Sequence, residues 1–193
     1  MDDAIRILGI PGSLRAESYN RRLLHAAQEL APDGVDIELF ELHDLPPYDG
    51  DVEAEGDPEP VAAFKEAIRD ADALLIVTPE YNRGVPGVLK NAIDWASRPP
   101  FGSPLTNKPV AVMGTSPGMG GTRKAQQQVR DALAFSKAET LTEPEVALPQ
   151  SYERFDDDGR LDDPEERAAV AALVDALAEV ALRRRVSLAE VAA

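Results

Sequence analysis

The chain has 193 residues, 44% of them hydrophobic, a formal net charge of −15 and no cysteine. That length suits one domain, 1–193, and the acidity excludes nucleic acid as a partner unless basic residues gather locally, which they do only at Arg183-Arg184-Arg185. Without cysteine, disulfides, thiolate catalysis, iron–sulfur clusters and zinc–thiolate sites are all excluded. Arginine outnumbers lysine fifteen to five, and acid crowds Asp44 to Glu59, Asp156 to Asp158 and Asp162 to Glu166. Such a hydrated carboxylate surface suits a high-salt cytoplasm, or equally an acidic protein from a GC-rich genome. The histidines, His25 and His43, have no neighbour at metal-ligand spacing, so each reads as an ordinary helix or loop residue. Met1-Asp2-Asp3 lacks the basic and apolar regions of a targeting signal, and no apolar stretch approaches the ~20 residues that span a bilayer. A cytoplasmic protein with no membrane partner is expected.

Taken in order, short apolar runs alternate with helical patterns. Ile5 to Ile10 is the first strand, followed by a helix over Arg21 to Leu30 and a second strand over Val35 to Phe40. Leu45 to Pro60, rich in proline and acid, reads as a surface excursion. A helix over Pro60 to Asp70 leads to a strand over Ala73 to Thr78, then a helix over Gly87 to Ser97 to a strand over Val110 to Gly114. A further helix spans Thr122 to Phe135, Ala138 to Thr142 offers a last strand, and Asp163 and Pro164 open a long alanine-rich helix to Arg185, where the arginines complement the helix dipole. The two internal strands are apolar on both faces, as strands covered by helices on each side must be. Alternation of this kind predicts an α/β fold with a mainly parallel sheet, in which ligands bind beyond the carboxyl ends of the strands.

Three segments of unusual composition follow three of these strands. In Gly12 to Asn20, Gly12 permits a tight turn, Ser13, Ser18 and Asn20 offer neutral donors, and Arg15 a cationic fork, just where a helix N-terminus presents free N–H groups. The pattern is neither G-x-G-x-x-G nor a Walker loop, so it suits a phosphate monoester; a serine N-cap on an ordinary helix is the plainer alternative. In Thr78 to Gly87, the turn residues around Pro79, Glu80, Tyr81, Asn82 and Gly84 fix an aromatic face at a strand end, where a planar ligand can lie. Trp95, further along, reads as core or interface filling. The third segment, Gly114 to Gly121, holds four glycines in eight residues and includes Ser116 and Gly118. It predicts close contact between backbone and ligand, with a plain tight turn as the alternative.

Gly12-Ser13-Leu14-Arg15 with Ser18 and Asn20, then Thr78-Pro79-Glu80-Tyr81-Asn82 with Pro86-Gly87 and Leu89 to Trp95, and then the glycine run before Arg123 resemble the NAD(P)H-dependent FMN reductases, a flavodoxin-like family that includes quinone, azo-dye and chromate reductases. The resemblance spans about Ile5 to Val146 and leaves the tail from about 150 unmatched. It implies a doubly wound, five-stranded parallel sheet with helices on both faces. It also implies that FMN is the cofactor, with its phosphate on Ser13, Arg15, Ser18 and Asn20. Pro79, Glu80, Tyr81, Asn82 and Gly84 would line the isoalloxazine, and Ser116 and Gly118 would touch the ribityl chain or ring edge. Contacts near Leu89 to Trp95 imply a homodimer or homotetramer. The expected activity is hydride transfer from NADPH or NADH through FMN to a small acceptor: a quinone, azo dye, metal oxyanion or free flavin. No catalytic acid, base or nucleophile is needed, because the flavin carries the chemistry. No adenosine-phosphate site is marked, and Arg15 and Arg83 are the nearby candidates. A flavodoxin-type electron carrier that does not oxidise NAD(P)H is the alternative; the acidic surface suits docking on a basic partner, but the phosphate loop lacks the threonines usual in such carriers.

Overall fold

The computed structural model describes residues 4–192, with side chains to 190. Met1-Asp2-Asp3, read above for the absence of a targeting signal, lies outside the described residues. The elements in chain order are β1 (Ile5–Pro11), α1 (Tyr19–Glu29), β2 (Val35–Leu39), α2 (Gly50–Glu55), α3 (Glu59–Asp70), β3 (Ala73–Val77), α4 (Gly87–Ala96), β4 (Pro109–Thr115), α5 (Arg123–Phe135), β5 (Glu139–Thr140), β6 (Ala147–Leu148) and α6 (Pro164–Ala192). The strands are parallel in the order β2-β1-β3-β4-β5, with β6 also on β4. This is the doubly wound, flavodoxin-like α/β arrangement, whose strand order reverses between β1 and β3.

The period-2 alternation of strand side chains builds two cores from one sheet. Leu75, Val77, Ala111 and Met113 pack against α1 and α6, while Leu74, Ile76, Val110 and Val112 pack against α3, α4 and α5. Every residue of β3 and β4 is buried, which is why both read as unbroken apolar runs. Each large aliphatic side chain so placed contributes roughly 1.5–3 kcal/mol. The helices match them with stripes such as Ala125, Val129 and Leu133 on α5. Register sets the working edge: Pro11 pairs with Val77 and Val77 with Met113, so the three central strands end level and their following loops meet.

The expected last strand over Ala138 to Thr142 is corrected by the structure. Only Glu139–Thr140 pairs with Pro109 and Val110, and the ladder resumes at Ala147–Leu148 against Gly114 and Thr115. Pro144 stands in the interruption and has no N–H to give to β4. The arginine run does not close its helix either, because α6 continues to Ala192. Arg183 lies by Glu179, and Arg185 grips Asp72 (2.6 Å) and the Ala4 carbonyl (2.7 Å), fastening α6 to the sheet's amino end. The acidic excursion contains α2 and is pinned down. The Trp95 indole donates to the Pro46 carbonyl (2.8 Å), the Tyr48 N–H to Asn91 Oδ1 (2.7 Å) and Lys65 Nζ to Asp57 (2.6 Å). Trp95 is fully buried, as its reading as a packing residue expects. Among the described residues no helix is long and apolar enough to cross a membrane.

Candidate active site

Loop 1, between β1 and α1, turns at Gly12, whose N–H donates to the Val77 carbonyl (2.8 Å). A Cβ there would meet Leu89 at 3.1 Å and Pro79 at 3.3 Å, so any side chain at this turn requires its neighbours to give way slightly. Ser13 is buried, and its Oγ accepts from the Arg15 N–H (3.3 Å) and lies 3.4 Å from the Tyr81 hydroxyl. Arg15 is exposed, and its guanidinium has no partner among the described residues. The N–H groups of Leu14, Ala16 and Glu17 likewise have no acceptor. His43 Nε2 donates to the Leu14 carbonyl (2.9 Å) and steadies the loop from the β2 side. Ser18 is indeed the N-cap of α1, accepting from the Asn20 N–H (3.3 Å). The Asn20 amide makes two bonds to Thr115, Nδ2 to its carbonyl and Oδ1 from its N–H, both 2.9 Å. Ser18 and Asn20 are both buried beneath the loop.

Loop 2, after β3, contains a tight hairpin in which Tyr81 and Gly84 exchange N–H···O=C bonds of 3.0 Å in each direction. Asn82 (φ 51) and Arg83 (φ 64) at its tip both adopt the left-handed conformation, as a type I′ turn requires. Their own N–H groups have no acceptor among the described residues. Tyr81 is 48% exposed, while Pro79, two residues before it, is buried. Glu80 does not face open space: its Oε2 accepts from the N–H groups of Lys124 (3.0 Å) and Ala125 (3.2 Å) at the start of α5. Thr122, the N-cap residue of α5, makes no capping bond, so Glu80 serves the orphan amides from another loop. Gln128, one turn further along α5, accepts from the Val85 N–H (3.0 Å). Gly84 lies so near this amide that a Cβ would stand 2.9 Å from Gln128 Oε1.

Loop 3, after β4, starts at a closed seam: a Cβ on Gly114 would sit 2.1 Å from the Thr78 carbonyl oxygen. Ser116 is buried, donates its hydroxyl to the Gly121 carbonyl (2.6 Å) and its N–H to Leu148 (3.1 Å), and accepts from the Ser151 N–H (3.0 Å). Gly118 is exposed, and its carbonyl accepts from the Gln150 N–H (3.3 Å). The tail therefore braces loop 3, and it also reaches α1 next to loop 1. Phe155 stacks on Tyr19 with centroids 5.7 Å apart, and the Arg22 guanidinium lies 5.5 Å from that ring's centroid.

The eleven residues singled out from sequence thus gather on one edge in three groups. Arg15, Tyr81, Asn82 and Gly118 are exposed at its surface, Gly84 and Glu80 are half-buried, and Ser13, Ser18, Asn20, Pro79 and Ser116 lie buried beneath. Asn20, Ser13 with Tyr81, and Glu80 bind the three loops to one another. Sequence reasoning missed Gln126 and Gln128. Gln126 is fully buried and donates to Thr122 Oγ1 (3.0 Å) and the Val146 carbonyl (2.9 Å). Its signal was present: a glutamine inside the apolar stripe of an otherwise amphipathic helix.

The comparisons with known proteins point to the same chemistry. The family model for NADPH-dependent FMN reductase matches residues 5–153, which carries the likeness past Val146 into the tail. An NAD(P)H-dependent FMN reductase of Pseudomonas aeruginosa is 48% identical over 177 residues, covering 92% of this chain and 95% of the relative. A 2-hydroxy-1,4-benzoquinone reductase of a Burkholderia species is 41% identical over 183 residues, covering 95% of this chain and all of the relative. Among solved structures, the flavoenzyme NAD(P)H:(acceptor) oxidoreductase FerB of Paracoccus denitrificans superposes with a TM-score of 0.85 at 36% identity, covering 93% of this chain and 98% of that one. With three coupled loops on the carboxyl edge of a flavodoxin-like sheet and a match of this extent, the chain belongs to the NADPH-dependent FMN reductase family.

Proposed function

We propose that the protein is an oxidoreductase that holds FMN on the three-loop edge and passes a hydride from NADPH or NADH to a small acceptor of the quinone class. Family membership supports the cofactor and the donor, and the relatives named for quinone substrates support the acceptor. The observation that carries the reading is loop 1. An unpartnered guanidinium, a buried serine and three amides without an acceptor among the described residues, all in the loop that leads into α1, fit a phosphate monoester in charge and number of donors.

In this mechanism Ser13, Arg15 and the amides of Leu14, Ala16 and Glu17 bind the FMN phosphate, with Ser18 and Asn20 buried behind them. Pro79, Tyr81, Asn82 and Gly84 would bound the ring, and the free Asn82 N–H at the hairpin tip would be a donor for its polar edge, where charge develops on reduction. Ser116 and Gly118 close the third side, and Glu80 orients the hairpin by anchoring it to α5. FMN, when bound, would supply the two-electron redox chemistry between the nicotinamide and the acceptor. The protein's part is binding, orientation and exclusion of water, which agrees with a chain that has no cysteine and only two histidines. We place this activity in the cytoplasm and in a homodimer or pair of dimers; the almost fully exposed Phe101 (98%), just beyond α4, favours a subunit contact there.

Arg15→Ala tests the phosphate assignment. Loss of a charge-assisted bond predicts FMN binding weaker by roughly 10- to 100-fold with the fold intact. Unchanged FMN affinity would remove Arg15 from the phosphate site.

A further inference from the structure

We infer that Arg83, with Lys124 beside it, reads the phosphate groups of the nicotinamide dinucleotide. This rests on the reading above and names the residues that receive the electron donor. Cations in this acid-rich chain are mostly tied down: Arg21 to Glu41, Arg22 to Glu17, Arg123 to Glu145, Arg154 to Glu166 and Lys90 to Asp94. Around the three loops, Arg15, Arg83 and Lys124 have side-chain cations with no partner among the described residues, although each is exposed and carboxylates are plentiful. Arg15 is accounted for by the single phosphate of FMN. Arg83 stands on the neighbouring loop, at the tip of the hairpin that also carries Tyr81. Lys124 belongs to the same rim, because its N–H is bonded to Glu80 and Gln128, one turn along α5, holds the hairpin at Val85.

The backbone adds an independent observation. Arg83 occupies a left-handed conformation (φ 64) that a long L side chain disfavours and glycine adopts without strain. The tip is nevertheless fastened on both sides, by the Tyr81–Gly84 exchange and by Gln128, so a guanidinium fork is mounted on a rigid base at a cost in local stability. Such strain on an exposed residue beside a ligand-binding edge points to function. Chemistry selects the ligand. Quinones are uncharged, so they need no cation, whereas the dinucleotide carries a pyrophosphate, and NADPH a 2′-phosphate as well. Against a net charge of −15, a polyanionic donor needs a local positive rim to approach.

The test uses the FMN-loaded protein and three variants, Arg83→Ala, Arg83→Lys and Arg83→Gly. Steady-state turnover with a neutral quinone is measured for both donors, together with equilibrium titrations of NADP⁺ and NAD⁺, FMN affinity and Tm. The expected result for Arg83→Ala is a KM for the donor raised by roughly 10-fold, with weaker nucleotide binding, kcat within about twofold and FMN affinity unchanged. Arg83→Lys recovers part of the loss, and Arg83→Gly loses affinity while its Tm rises, a split that a purely structural role cannot produce. Weakening toward both nucleotides identifies the pyrophosphate as the contact, and weakening toward NADP⁺ and NADPH alone identifies the 2′-phosphate. Unchanged affinity for both, or a loss explained by altered FMN binding or oligomeric state, overturns the inference while leaving the reductase intact. A wild-type protein that oxidises neither donor overturns the underlying reading instead, and this inference falls with it.

Discussion

Replacing Glu80 by alanine separates two roles that its place in loop 2 permits, lining the flavin ring or bracing the loop. The structure gives it two bonds, from the Lys124 N–H at 3.0 Å and the Ala125 N–H at 3.2 Å, and Thr122 at the N-cap position makes no capping bond of its own. Loss of an N-cap acceptor costs about 1 kcal/mol, and loss of a carboxylate at a helix N-terminus a further ~0.3–1 kcal/mol. The sum, about 1.3–2 kcal/mol, corresponds in a domain of this size to a fall in Tm of roughly 3–8 °C. Glu80→Gln keeps an acceptor oxygen and gives up only the charge, so it retains more than half of that stability. Thermal unfolding with and without FMN, together with amide hydrogen exchange, reads both effects. Lys124 and Ala125 exchange faster in Glu80→Ala, and FMN weakens only as far as the hairpin loosens. An Ala variant with parental Tm and protected amides would refute the capping role; parental Tm with FMN binding abolished would return Glu80 to direct contact with the ring.

Two further outcomes follow from the packing. Gly114→Ala forces a Cβ to within 2.1 Å of the Thr78 carbonyl and 2.5 Å of Thr122 Oγ1, where both strand ends are fixed by the sheet. The strain is at least ~1–3 kcal/mol, and the displaced β3 and β4 ends carry loops 2 and 3 apart, so Tm and FMN affinity fall together; a variant matching the parent in both would disprove the closed seam. At the opposite end of the sheet, Lys108 Nζ donates to the carbonyls of Ala71 and Arg69. Burial, and after it the neighbouring Arg184, lower this ammonium from 10.5 to about 8. Between those values the unfolded chain keeps a proton that the folded protein has released, so stability rises with pH across that window. Lys108→Met flattens the rise in denaturant midpoint between about pH 8 and 10, and an identical slope in the variant would refute the assignment.

Much of the working edge was legible because its signals are local. Unbroken apolar runs at β3 and β4 mark strands covered on both faces, and each is followed at once by a segment whose composition departs from filler. The elements that escaped are those whose cause is distant. β5 falls inside the strand expected over Ala138 to Thr142 but is only two residues long, and β6, also two residues and too short for any periodicity, went unread; both exist because β4 offers an open edge on either side of the Pro144 interruption. The arginines of α6 looked like a dipole cap, yet Arg185 is placed by Asp72, 113 residues away in sequence. Glu80 stands in a loop whose composition is visible locally, but its bond to Lys124 at the start of α5, 44 residues away in sequence, is not. Asn20 shows the two cases together: its type and loop are visible locally, while its two bonds to Thr115 depend on β1 and β4 being brought level through β3.

The central claim is that this edge binds a flavin reducible by a nicotinamide donor. It meets its most direct test in an anaerobic titration of the purified protein, reconstituted with FMN and followed by visible absorbance. One equivalent of NADPH, or of NADH, is predicted to bleach the bound flavin in a single two-electron step, and added quinone to restore the colour. Bound FMN that stays oxidised with both donors would contradict the reductase and favour an electron carrier, and a protein that binds no FMN would contradict the three-loop site itself.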